Sequence, residues 1–158
     1  MLRKIISGGQ TGVDRGALDA AIEANFEHGG WCPRGRIAED GPIEECYSMR
    51  ETPTRDYAER TERNVIESDG TLILYDNKIQ GGTRLTKVLA LQHQRPFHAV
   101  NLGEPIDFAA IVAWIESNNI AVLNVAGPRE SGSPGIGNQA RNFVFHLLQL
   151  IRENTSTN

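Results

Sequence analysis

Three short β-branched runs in this chain each break into glycine just before a segment with helical periodicity. The runs are residues 4–7, 71–75 and 121–125, and the glycine-containing turns that follow them are residues 8–12, 81–83 and 127–131. Alternating strands and helices predict parallel βα units, whose strands end at the same edge of the sheet. Bare backbone N–H groups and helix N-termini attract anions. We therefore expect the three turns to line one anion-binding crevice.

The remaining pattern predicts an α/β fold, a single Rossmann-like domain in which a mostly parallel β-sheet is flanked by helices. The length of 158 residues suits one domain. We expect it over residues 1–153, with a disordered tail over 154–158. Residues 28–53 are rich in Gly, Pro and charge, so mostly loop is expected there beyond a short strand near Trp31. Helices are expected over residues 14–26, 54–68, 83–92, 106–118 and 137–153, and a further strand over 97–101.

Apolar stripes indicate which helix faces are buried. In the second helix, Val65 and Ile66 are expected to face inward, whereas Asn64 falls on a neighbouring polar stripe. The buried stripe of the last helix consists of Ala140, Phe143, Val144, Leu147, Leu148 and Ile151.

The composition narrows the partners and the compartment. The net charge of −4 and the lack of a basic run argue against nucleic acid and membrane surfaces as partners. No apolar stretch approaches membrane-spanning length, and residues 1–6 are too short for a signal peptide, so a cytoplasmic location is expected. No metal site is expected, because the cysteines and histidines lack the local pairing typical of metal ligands: Cys32, Cys46, His28, His93, His98 and His146.

The first glycine turn differs from the two best-known nucleotide motifs. Residues 7–14 lack the GxxxxGK[ST] spacing of a P-loop and the GxGxxG spacing of a dinucleotide fold. What remains is a phosphate or oxyanion loop in which Gln10 and Thr11 supply side-chain donors and Asp14 caps the helix. A tight βα turn without a ligand is the alternative interpretation.

Residues 8–16, 34–41, 57–64, 68–71 and 127–131 resemble the signature of the putative molybdenum carrier family. That family is similar to a wider Rossmann-like group that includes the "lonely guy" phosphoribohydrolases and lysine-decarboxylase-like proteins. The resemblance covers most of the chain. It implies binding of molybdenum cofactor or molybdate at the carboxyl edge of the sheet, and a homo-oligomer.

One departure bears on catalysis. The phosphoribohydrolases carry PGGxGTxxE, whereas residues 80–87 read QGGTRLTK and lack the proline and the glutamate. Other loops offer the carboxylates of Asp14, Glu39, Asp40 and Glu130, but spacing alone places none of them, so no catalytic residue is assigned. Cleavage of an N-glycosidic bond requires such an acid. Binding is therefore favoured, while a nucleoside-monophosphate phosphoribohydrolase-like enzyme and a nucleotide-sensing protein remain alternatives.

The candidate ligand-binding residues combine the three turns with nearby arginines, whose guanidinium groups can bind two phosphate oxygens at once. For each arginine, a solvated surface role is the alternative. The candidates are Gly8, Gly9, Gln10, Thr11, Gly12, Asp14, Arg15, Arg34, Arg60, Gly81, Gly82, Thr83, Arg84, Gly127, Pro128, Arg129, Glu130, Ser131 and Gly135.

Overall fold

A five-stranded parallel sheet forms the centre of the protein, in a computed structural model that describes residues 1–156. Nine strands are present among these residues: β1 Lys4–Ile6, β2 Glu27–Gly29, β3 Trp31–Cys32, β4 Ile37–Ala38, β5 Gly41–Pro42, β6 Arg50–Glu51, β7 Gly70–Tyr75, β8 Phe97–Asn101 and β9 Val122–Ala126. The main sheet has the order β2-β1-β9-β7-β8, with every pair parallel. The predicted α/β, Rossmann-like fold with a mostly parallel sheet is confirmed.

Helices cover both faces of this sheet. They are α1 Val13–Glu23, α2 Tyr57–Glu67, α3 Gly81–Gln92, α4 Phe108–Ser117 and α5 Ile136–Ser156. Helices α1, α4 and α5 share the main core with sheet residues such as Leu72 and Leu123. Helices α2 and α3 build a smaller cluster with Val65, Leu89 and Ala90. The six apolar residues predicted for the stripe of α5 are all buried.

Helices α1 and α5 are in close contact at Gly16 and Gly137. A Cβ atom added to Gly16 would lie 2.3 Å from the carbonyl oxygen of Gly137, so the two backbones approach directly. Since α1 follows β1 and α5 follows β9, which pair in the sheet, this contact also fixes the relative positions of the turns before each helix.

The segment expected to be mostly loop, residues 28–53, contains five of the short strands in whole or in part. Strand β2 extends the main sheet, β3 pairs in parallel with β6, and β4 pairs with β5 in an antiparallel hairpin. Its side chains Cys32, Ile43 and Tyr47 form a separate small core with Leu18 of α1. Most residues of the segment still lie outside strands, and β3 is the short strand expected near Trp31, so the expectation is confirmed. The sequence did not indicate the other strands, because two or three residues are too few to show alternation.

Two expectations for α2 are corrected. The helix begins at Tyr57 rather than at residue 54, because the Asp56 side chain caps it by accepting from the Ala58 N–H at 2.9 Å. Ile66 is exposed, whereas Asn64 is buried. The Asn64 amide accepts from the Trp31 N–H at 2.8 Å and donates to the Trp31 carbonyl at 2.9 Å. Its burial thus satisfies the backbone of β3, and helical periodicity does not reveal this contact.

The helix ends differ by a few residues from those expected. Helix α1 stops at Glu23, and Asn25, with φ of 51°, turns the chain into β2, leaving Phe26 packed against the core outside the helix. Helix α5 extends to Ser156, beyond the expected end at residue 153, and residues 157 and 158 lie outside the described part of the chain. The disordered tail over 154–158 stays a prediction. Within residues 1–156, no helix is long and apolar enough to span a membrane.

Candidate functional site

The three glycine turns lie side by side at the carboxyl edge of the sheet, because β1, β9 and β7 are consecutive strands of it. A Cβ atom on Gly12 would lie 2.3 Å from the Pro128 carbonyl oxygen, and one on Gly127 would lie 2.2 Å from that of Leu74. The Val13 N–H donates to Pro128 at 3.1 Å. Glycine is needed at both positions because backbone meets backbone there.

A cavity of about 510 Å³ opens where the turns meet, and we call it the edge cavity. The sequence candidates that line it are Gln10, Asp14, Arg60, Gly81, Gly82, Thr83, Gly127, Pro128 and Arg129. Further lining residues that are not among the listed candidates include Tyr57, Lys78, Gln80 and Ser133. The position of Lys78 between the end of β7 and the first turn of α3 was a usable signal.

The N-terminus of α3 is open towards this cavity. The N-cap residue Gln80 makes no side-chain capping bond, and the first turn holds no acidic residue. Apart from their immediate neighbours and the nearby backbone of α3 itself, no heavy atom of the described chain lies within 4 Å of a Cβ placed on Gly81 or Gly82. The first N–H groups of a helix lack internal partners and carry a partial positive charge. This helix end therefore presents unfilled donors to the cavity.

Helix α5 provides the contrast. The carboxylate of Glu130 accepts from the Gly135 N–H at 2.5 Å and from the Gly137 N–H at 3.0 Å. A side chain of the protein therefore already occupies the N-terminus of α5. Glu130, a ligand candidate from the sequence, satisfies a helix end instead of lining the edge cavity.

A buried ion pair forms one wall of the edge cavity. The Arg60 Nη1 atom lies 3.5 Å from Asp14 Oδ2, and the two side chains are 13% and 5% exposed. Burial raises the pKa of Asp14, while the neighbouring Arg60 charge partly opposes that rise. A Cβ atom on Gly8 would lie 2.3 Å from Arg60 Nη1, so this glycine makes room for the guanidinium.

Asp14 does not cap α1 in the way expected from the sequence. The N-cap is Gly12, and no side chain provides a capping bond there. The Asp14 carboxylate instead accepts from the Gln10 N–H at 3.3 Å, which precedes the helix. It thereby fixes the first glycine turn.

The Gln10 side chain is oriented by two backbone donors. Its Oε1 atom accepts from the Thr11 N–H at 3.0 Å and from the Glu39 N–H at 2.8 Å. The carbonyl end of this buried amide is therefore engaged, and Gln10 lines the edge cavity. Its NH₂ group remains as a fixed donor for a ligand.

The turn after β9 already holds a carboxylate. Glu39 accepts from Ser131 Oγ at 2.6 Å, from the Ser131 N–H at 3.1 Å and from the Thr11 hydroxyl, and it lies 3.7 Å from Arg129 Nε. The hydrogen bonds from Ser131, followed by that from Thr11, lower the pKa of Glu39. Glu39 is therefore held as an anion in this turn.

Other sequence candidates lie outside the edge cavity. Arg15 forms a two-pronged pair with Asp40, with contacts of 3.0 and 3.2 Å, and donates to the Gly9 carbonyl. Arg34 and Arg84 are exposed and line no described cavity. A second, more open cavity of about 790 Å³ lies beside α1 and α5 and is lined by Thr11, Gly12, Arg15, Glu130 and Ser131 among others. Gly8, Gly9 and Gly135 line neither of the two cavities.

The side chains that could ligate a metal ion do not cluster in the part of the chain that the structure describes. Within residues 1–156, no group of three His, Cys, Asp or Glu side chains is arranged to hold a metal ion. The donors of the edge cavity are N–H, amide, hydroxyl, ammonium and guanidinium groups, which suit anionic oxygen.

Comparison with known proteins agrees with this architecture. A crystal structure described as a putative molybdenum carrier protein from Syntrophus aciditrophicus SB is 45% identical in sequence, with a TM-score of 0.85. The match covers 91% of this chain and 94% of that one. No curated protein matches the chain. The model of the circularly permutated YpsA SLOG family matches residues 5–148. The resemblance seen in the sequence is confirmed, and the chain belongs to the circularly permutated YpsA SLOG family.

Proposed function

We propose that this protein binds and carries an anionic small molecule in the edge cavity, and that the ligand is molybdenum cofactor or molybdate. The observation that carries the proposal is the open N-terminus of α3, whose Gly81 and Gly82 face a cavity also lined by Arg60, Lys78 and Arg129. A helix end and cationic side chains together favour a bound phosphate or oxyanion. The name of the related Syntrophus protein supports the choice of ligand.

The size of the cavity favours the cofactor over the bare ion. A volume of about 510 Å³ falls in the range of about 300–1,000 Å³ typical of sites for organic ligands. A single tetrahedral oxyanion would leave most of it unfilled. Molybdopterin carries a phosphate, a hydrogen-bonding pterin and an oxo-metal head, which together use a larger space.

The cavity walls supply separate contacts for the parts of such a ligand. The α3 N-terminus and Lys78 suit the phosphate. The free NH₂ of Gln10 and the carboxylate of Asp14 offer a donor and an acceptor to the edge of a pterin. Tyr57, which is partly exposed at the start of α2, offers an aromatic face.

The same geometry favours binding over hydrolysis. The first turn of α3 has no acidic residue, and Asp14, the one carboxylate buried in the described cavity wall, is paired with Arg60. A phosphoribohydrolase-like enzyme and a nucleotide-sensing protein are the alternatives, since both would use the same anion contacts. On the family resemblance and the net charge of −4, we further propose a cytoplasmic homo-oligomer without nucleic-acid or membrane partners.

The test is ligand identification followed by titration. Native mass spectrometry of protein purified without oxygen should reveal a co-purifying mass that corresponds to molybdenum cofactor. Calorimetric titration of the ligand-free protein should then show tighter binding of the cofactor than of molybdate or nucleoside monophosphates. A nucleotide as the co-purifying and tightest ligand would replace the carrier proposal with nucleotide sensing.

A further inference from the structure

Glu39 binds a set of donors that would suit a tetrahedral oxyanion. Its two carboxylate oxygens accept hydrogen bonds from the backbone N–H of Ser131, from the Ser131 hydroxyl and from the Thr11 hydroxyl. The Arg129 Nε atom lies 3.7 Å from the same carboxylate. Proteins use backbone N–H, hydroxyl and guanidinium donors of this kind to hold phosphate groups. We call this group of four residues, Thr11, Glu39, Arg129 and Ser131, the Glu39 corner.

The carboxylate comes from the tip of a small hairpin. Strands β4 and β5 form only the pairs Ile37 with Pro42 and Ala38 with Gly41, so Glu39 and Asp40 make up the turn. Both turn residues are exposed, and Gly41 has a φ of 112° with open space around it. The tip is therefore held chiefly by the contacts of Glu39 and Asp40 with the sheet edge.

The base of the hairpin has separate anchors. The Arg36 guanidinium donates to the carbonyls of Ile43, Glu44 and Tyr47, and Ile43 is buried in the small core beside Leu18. These anchors do not involve the Glu39 corner. The tip can therefore leave the sheet edge while the base keeps its position.

The Glu39 corner is joined to the edge cavity by two residues. Arg129 belongs to the corner and also lines the cavity, and the Glu39 N–H holds the Gln10 amide that faces it. Displacement of the tip would therefore free the guanidinium of Arg129 and release the carbonyl end of Gln10. The occupant of the corner and the ligand in the cavity are physically coupled.

We infer that Glu39 is a built-in competitor, which keeps a second oxyanion subsite closed until a phosphoryl or molybdate group displaces it. The inference rests on the proposed function, because it describes how the anion site of that function is regulated. In the closed form the chain supplies its own anion. In the open form the ligand takes over the donors of Ser131, Thr11 and Arg129, and the hairpin tip moves away.

The test is calorimetric titration of the full chain with inorganic phosphate and, separately, with molybdate. Glu39→Ala should bind at least one of these ions about tenfold more tightly than the wild type, and Glu39→Gln should show a smaller gain. Asp40→Asn is the matched control, since it removes an equal charge from the same turn but leaves the Glu39 carboxylate in the corner as the competing anion. Its affinity should stay within about twofold of the wild type. A gain confined to phosphate assigns the corner to a phosphoryl group, and one confined to molybdate assigns it to the metal oxyanion.

A further substitution shows where the gained ion binds. Adding Ser131→Ala to Glu39→Ala should abolish the gain, because the corner loses a hydroxyl donor. Equal affinities of Glu39→Ala and Asp40→Asn, or a gain that survives Ser131→Ala, would overturn the inference. Thermal unfolding with and without phosphate checks that each variant is folded. A failure of the proposed function would give a different result. Gly82→Asp, which blocks the N-terminus of α3, would then bind phosphate and molybdate as the wild type does, whatever the Glu39 variants do.

Discussion

The backbone of Gly12 lies directly against the carbonyl of Pro128, so the turn after β1 and the turn after β9 are in contact without any intervening side chain. Gly12 has a φ of 79°, and an added Cβ would lie 2.3 Å from the Pro128 oxygen. The candidate site therefore depends on the close approach of two backbone segments that are far apart in the sequence. Its geometry should be sensitive to a single methyl group.

Gly12→Ala tests that dependence. The unfavourable φ alone costs about 1–3 kcal/mol, and the backbone clash adds to it. Gly81→Ala is the matched control, because Gly81 also has a positive φ, 56°, but open space around it. Denaturant unfolding should show a larger loss of stability for Gly12→Ala than for Gly81→Ala. Equal losses of stability would mean that the close contact between Gly12 and Pro128 does not add to the cost of the substitution.

Gly82→Asp should block the anion site while leaving the fold intact. Gly82 lies in the first turn of α3, its φ is not positive, and a Cβ there meets open space. A carboxylate in the first turn stabilises a helix by about 0.3–1 kcal/mol, so the melting temperature should not fall. Titration with the anionic ligand should show binding weakened at least about tenfold. Gly82→Ala, which adds a side chain without charge, should bind normally, and equal binding by both variants would remove the α3 end from the site.

The sequence predicted the parts of this site that depend on local pattern. The runs before Gly8, Gly81 and Gly127 predicted parallel strands, and parallel strands place their ends together. The contacts of Glu39 with Ser131 could not be predicted, because they join residues 92 positions apart through strands of two residues. Likewise, periodicity assigned Asn64 to a polar face because its partner, the Trp31 backbone, lies 33 positions away in the chain. A short strand near Trp31 was expected, but helical periodicity does not show which helix contacts it.

Arg129→Ala should weaken the binding of the anionic ligand. Loss of a hydrogen bond to a charged group costs about 1.5–3 kcal/mol. The side chain is 61% exposed and its contact with Glu39 is long, so stability should barely change. Arg63→Ala is the control, since that arginine is exposed on α2 and does not line the edge cavity. Unchanged calorimetric affinity, or a collapse of the melting temperature, would make Arg129 a structural residue.

Asp14→Asn should alter how stability depends on pH. Burial raises the pKa of Asp14 above 3.8 in the folded state, so the folded protein binds this proton more tightly than the unfolded chain does. The contribution to stability is present below about pH 3.8 and is lost as pH rises through the higher folded pKa. Relative to the wild type, Asp14→Asn should therefore gain stability from acidic to neutral pH in denaturant unfolding. A relative loss over that range would show that the attraction of Arg60 outweighs burial.

Asp40→Asn should change the pH dependence of stability in the opposite direction to Asp14→Asn. The hydrogen bond from Arg15 lowers the pKa of Asp40, so its contribution is present at neutral pH and is lost as pH falls through the folded pKa. The wild type should therefore be favoured over Asp40→Asn at neutral pH. The effect should be small, since half of the Asp40 side chain is exposed.

Incubation with nucleoside monophosphates should release no free base, because the first turn of α3 lacks the glutamate of the phosphoribohydrolase motif. Glu130, one of the four carboxylates that other loops offer in place of the missing glutamate, is engaged at the N-terminus of α5. Asp14 and the exposed Asp76 line the edge cavity, and Arg60 holds Asp14 in an ion pair. Chromatographic detection of free base provides the measurement. Sustained release that Asp14→Asn or Asp76→Asn abolishes and Glu130→Gln spares would contradict the carrier and identify a hydrolase with a relocated acid. Release that survives all these changes would point to a contaminating enzyme.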